Sequence, residues 1–71
     1  MLKRDETSDP KSCMNRAKDE EMVFVLLGRD LAAPVAIRAW MAERIRLGEN
    51  QRGDAQLVDA EECARLMEES R

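Results

Sequence analysis

Six consecutive apolar residues, Met22-Val-Phe-Val-Leu-Leu27, make the only strand-like run in this chain. The run has strand length, β-branched residues and Phe24, and Gly28 follows at once, so it is too short for a helix of its own. A short buried helix is the competing reading. Apolar and polar residues do not alternate within the run, so both of its faces should be covered. No clear second strand is present. A strand here must therefore pair across a dimer or with a partner.

The sequence after the run reads as helix. Gly28–Pro34 is a connector in which Asp30 can bond backbone amides and Pro34 suits a first helical position. From Pro34 to about Leu47, residues Ile37, Trp40, Met41, Arg44 and Ile45 recur at three- and four-residue steps. Gly48 stands where a left-handed residue would end that helix, with Arg44 and Arg46 near its negative end. Beyond a polar loop, Asp54 can cap a second helix to about Glu69, with Leu57, Ala60, Cys63, Ala64 and Met67 on one face and Leu66 at its edge. Asp59-Ala-Glu-Glu62 has capping-box form and offers Ala60 as a later start. The stripe through Leu57 favours the longer helix.

Residues 1–21 form a separate unit. They hold 11 charged residues and all three lysines of the chain, with few large apolar groups. That composition suits a charged flexible tail, in which Ser12–Ala17 could form a helical turn or an edge strand. The expected architecture is thus mainly α (α+β): tail 1–21, then a strand-helix-helix domain over 22–71. The first helix and its loop carry a local charge of +2 and the second helix −4, which suits a packed pair.

Seventy-one residues lie near the size where one core supplies only about 3–5 kcal/mol, so oligomerisation is the expected staple. Cys13 and Cys63 allow one bridge at most, and their spacing matches no zinc site. No histidine is present, which removes the commonest general base and metal ligand. Glu61, Glu62, Glu68 and Glu69 read as a solvated acidic face, and Gly28-Arg-Asp lacks the glycines of a phosphate loop. The expectation is no enzyme, no catalytic residue, no metal and no cofactor. A net charge of −3 disfavours nucleic acid. The longest apolar run is far short of the ~20 residues a membrane span needs. With free thiols and no export signal at its start, the chain is expected in the cytoplasm.

Two surfaces carry the association reading. Val23, Phe24, Val25 and Leu26 are the strand-association residues. Trp40, the only tryptophan, with Arg38, Arg44 and Arg46 makes the candidate partner-binding patch, because tryptophan and arginine dominate binding hot spots. Trp40 as a core residue and the arginines as mere solubilisers are the plain alternatives.

The strand-helix-helix order resembles ribbon-helix-helix regulators, whose paired strands read DNA and whose helices build a dimer core. The positions that read bases there are Val23, Phe24, Val25 and Leu26 here, so the resemblance implies a dimer without its DNA contacts. Val23-Phe-Val-Leu-Leu-Gly-Arg-Asp-Leu-Ala-Ala-Pro-Val-Ala-Ile-Arg-Ala-Trp40 is similar to short, uncharacterised bacterial and prophage proteins, as is Cys63-Ala-Arg-Leu-Met-Glu68. That likeness spans roughly residues 22–69 and implies a phage-associated setting. The functional expectation is a small non-catalytic interaction module, a modulator or inhibitor of a host protein complex, acting as a homodimer through the strand or bound to a host protein. A dimeric ribbon-helix-helix DNA-binding regulator is the alternative.

Overall fold

The computed structural model describes residues 1–71 as an all-helical chain with four helices in the order α1 (Lys3–Ser8), α2 (Cys13–Arg16), α3 (Ala33–Arg46) and α4 (Ala55–Glu69). There is no strand, which corrects the expected α+β class. Met22–Leu27 is extended, but no N–H or C=O from Met22 to Leu26 joins a backbone hydrogen bond. A strand is a property of two segments, and no other segment of the chain pairs its backbone with this one.

Extended geometry still sorts its side chains. Phe24 and Leu26 line a large groove against α3 and α4. Val23, Phe24 and Val25 line a smaller recess with Glu6, Cys13 and Met14. Leu26 thus borders only the groove, Val23 and Val25 only the recess, and Phe24 both. Coverage is nevertheless thin: Met22 is 96% exposed and Phe24 87%.

The α3–α4 hairpin forms where local signals placed it. Pro34 lies in the first turn of α3, and Asp30 Oδ1 accepts from the Ala32 N–H at 2.9 Å to shape the connector. The helix ends in a full Schellman motif. Gly48 takes φ 75°, its N–H bonds Ile45 O at 3.0 Å, and the Glu49 N–H bonds Arg44 O at 3.0 Å. Asp54 sits at the N-cap of α4, as expected, yet its carboxylate faces back into the loop. There it accepts from the Gln51 N–H at 2.9 Å and from Asn50 Nδ2 at 3.0 Å, and these bonds hold its pKa below the usual aspartate value.

The core between the helices is small. Ala33, Pro34, Leu57 and Ala64 are its buried members, and Leu57 and Pro34 are the largest side chains fully enclosed. Alanines at this seam let the two helices approach closely. Arg38 then crosses from α3 to α4 as a clamp. Its Nη2 lies 3.0 Å from Glu61 Oε1 and 2.8 Å from Glu68 Oε1. The exit of the extended segment presses on the far end of α4, where a Cβ added at Gly28 would lie 3.4 Å from Met67 Cγ. Arg71 Nη2 donates to Asp30 O at 2.9 Å and ties the chain end to the connector.

Residues 1–21 contain structure of their own. Ser12 caps α2 by accepting from the Asn15 N–H at 3.1 Å, and its hydroxyl donates to Glu6 O at 2.5 Å. The Asn15 side-chain amide donates to Thr7 O and Asp9 O, and Glu6 Oε1 accepts from the Met14 N–H. These bonds fasten α1 to α2. Their only hydrogen bond to the hairpin is from the Met1 ammonium to Cys63 Sγ at 3.3 Å.

Candidate protein-interaction groove

A groove of about 800 Å³ opens between the extended segment, α3 and α4. Ile37 and Trp40 come from successive turns of α3, and Ala60, Cys63 and Leu66 from the facing turns of α4. Their spacing is the i, i+3, i+4 pattern of one helix face, so each helix lends one side of the trough. Phe24 and Leu26 form the third wall. Met1 and Asp5 close over one edge, and Asp59 and Glu62 stand on the α4 rim.

Trp40 is 41% exposed and lies in this groove, partway between the core and anchor readings. Arg44 sits above its ring, with Cζ 5.7 Å from the centroid, a cation–π distance. Arg44 Nε also donates to Asn50 Oδ1 at 2.5 Å, and its Nη1 pairs with Glu49. Trp40 and Arg44 are therefore held as one unit by the loop after α3.

The other two arginines of the patch lie elsewhere. Arg38 is turned to α4, where all its donors serve Glu61 and Glu68, at 2.8 to 3.3 Å. Those bonds raise its own pKa, and they hold the Glu61 and Glu68 carboxyls below the usual glutamate range. Arg46 pairs with Glu43 one turn back, which lowers the Glu43 pKa. Two residues apart on a helix means roughly opposite faces, so Arg38 and Trp40 do not share a surface. Of the strand-association residues, Phe24 and Leu26 join Trp40 in the groove, while Val23 and Val25 look toward α1 and α2.

Of the groove's lining, only Phe24, Leu26 and Trp40 were named as site residues from sequence; the rest, Asp5, Asp59, Glu62 and Leu66 among them, were passed over. The edge position of Leu66 was a legible signal. Asp5 had none, since only the path of the chain brings it to the rim.

No group of three or more histidine, cysteine, aspartate or glutamate side chains is placed to hold a metal ion. No helix is long and apolar enough to cross a membrane. No protein-family model, curated protein or solved structure matches the chain.

Proposed function

We propose that this chain is a small non-catalytic protein-interaction module that binds another protein through Met22–Leu27 and the adjoining Trp40 groove. The supporting observation is one of area. The accessible surface is 6042 Å², whereas a folded monomer of 8.1 kDa exposes about 4,500 Å². The excess of about 1,500 Å² is more than the roughly 800 Å² that each partner contributes to a standard protein–protein interface. Much of it is apolar and contiguous in sequence, since Met22, Val23, Phe24, Val25 and Leu27 are all at least half exposed. Exposed apolar groups gathered in this way mark an interaction site.

A second copy of this chain is one partner that could cover the segment; a host protein in the cytoplasm of a bacterium carrying the chain as a phage or prophage product is the other. A modulator or inhibitor of a host complex is the role such a module would play. The arginines of α3 favour a protein partner over nucleic acid, because Arg38, Arg44 and Arg46 are each engaged by carboxylates of their own chain. Phosphate binding would have to break those pairs.

Light scattering of the full chain, together with affinity capture from host lysate, tests this reading. A dimer, or a stoichiometric complex lost on Phe24→Asp, supports it. An 8.1-kDa monomer that captures nothing sinks it.

A further inference from the structure

Resting on that protein-binding reading, we infer that the groove takes an amphipathic helix with basic residues flanking its apolar stripe, supplied by a different protein. The shape comes first. Ile37 and Trp40 on α3 and Ala60, Cys63 and Leu66 on α4 leave a trough where a third helix would complete a bundle. Ala36 and Ala60 give it a shallow floor, so a helix backbone can come close. A volume of about 800 Å³ accommodates several large side chains, as the apolar face of a docked helix requires.

Charge selects the occupant. The charged side chains lining the groove are Asp5, Asp59 and Glu62, all acidic. Asp5 and Asp59 make no ion pair, while Glu62 shares Arg65 with Glu69. Of the nearby cations, Arg44 is held by Trp40 and Glu49 and Arg65 by its two glutamates, while the Met1 ammonium, bonded to Cys63 Sγ, is the one positive group set against these three carboxylates. A second copy is a poor occupant. Its exposed apolar segment follows Asp19-Glu20-Glu21 and its α4 carries six acids with its cap against one arginine, so either would bring carboxylates to carboxylates.

Three designed 18-residue peptides without tryptophan provide the probe. They share one leucine stripe at helical spacing and carry lysine, glutamine or glutamate at every polar position. Trp40 is the only tryptophan and lies in the groove, so its fluorescence reports occupancy directly. The lysine peptide is expected to blue-shift Trp40 and to bind at least about tenfold more tightly than the glutamate peptide, each rim carboxylate contributing modestly. Asp59→Lys with Glu62→Lys should reverse that order, and Asp59→Asn with Glu62→Gln should abolish it, both with unchanged helical circular dichroism. Glu43→Lys, away from the groove, should change nothing beyond a small nonspecific loss.

Equal binding of the lysine and glutamate peptides overturns the proposal. So does lysine-peptide binding without a Trp40 response, or binding indifferent to Asp59 and Glu62. If the peptides fail while the full chain still forms a dimer or complex sensitive to Phe24→Asp, only this inference falls. If the chain is also a monomer that captures nothing, the interaction reading falls with it.

Discussion

Residues 33–69 and residues 1–27 both contain helices, yet they are held by different physics. The α3–α4 hairpin encloses Leu57 and Ala64, closes its first helix with a Schellman motif and is clamped across by Arg38. The N-terminal part buries only Ser12 and is held by short-range polar bonds around Glu6, Ser12 and Asn15. Most of its apolar groups are exposed, with Leu26 half-buried. One half has used its hydrophobic surface to fold, and the other has kept it available. Hydrogen bonds in water add little net stability compared with burial, so the two halves should differ sharply in how they respond to mutation.

The strongest test of that contrast is Leu57→Ala. Leu57 is 2% exposed, and truncating such a residue costs about 2–5 kcal/mol. That is comparable to the whole ~3–5 kcal/mol expected for a chain this small. Thermal denaturation followed by circular dichroism should lose its cooperative transition; a melt close to wild type would mean the hairpin is not the stabilising unit.

Ser12→Ala probes the other half. It removes the α2 cap and the bond to Glu6 O, worth about 0.5–2 kcal/mol locally. Amide exchange at Asn15 and Ala17 should quicken while the global melting temperature stays put. A matching fall in global Tm would show that the two regions fold as one.

Acidification should loosen the hairpin by a smaller amount. Glu61 and Glu68 have folded-state pKa values depressed first of all by their hydrogen bonds to Arg38. The folded chain thus binds fewer protons than the unfolded one in this range. Their contribution is complete above the ordinary glutamate value and disappears as pH falls through the depressed one. Tm measured from neutral pH down through the carboxylate range should drop, and Arg38→Met should lower Tm at neutral pH and flatten that drop. An identical pH profile in the variant would remove the clamp from the account.

Phe24→Asp should have the least effect on the fold and a decisive one on association. At 87% exposure the new charge meets water, so helical content and Tm should match wild type. Solution mass or complex formation should be lost. An unfolded variant would place Phe24 in a core that the structure does not show.

Much of the hairpin was legible beforehand because its signals are local. Pro34, Asp30, Gly48 and Asp54 act within a few residues of themselves, and the observed α3 and α4 begin and end within a residue or so of where those signals place them. The groove was legible only in part. Trp40 and Phe24 could be singled out as large exposed-or-core candidates, but their meeting depends on how the extended segment crosses α3. Arg38 shows the limit well. The opposite charges of the two helices could be counted from sequence, yet its assignment to a partner-facing patch with Trp40 ignored the half-turn that separates them, and packing turns it onto Glu61 and Glu68.

The amino-acid sequence by itself determined where α3 and α4 begin and stop, and that one apolar run would be left over, whereas α1 and α2 were not placed by it. Those outcomes rest on backbone preferences and on capping groups adjacent in the chain. Tertiary structure decided the fate of the apolar run, which is extended but unpaired because strand pairing needs a second segment that this chain does not place beside it. It also decided that Asp5, Asp59 and Glu62 share a rim, since residues far apart in sequence meet only once the helices have crossed.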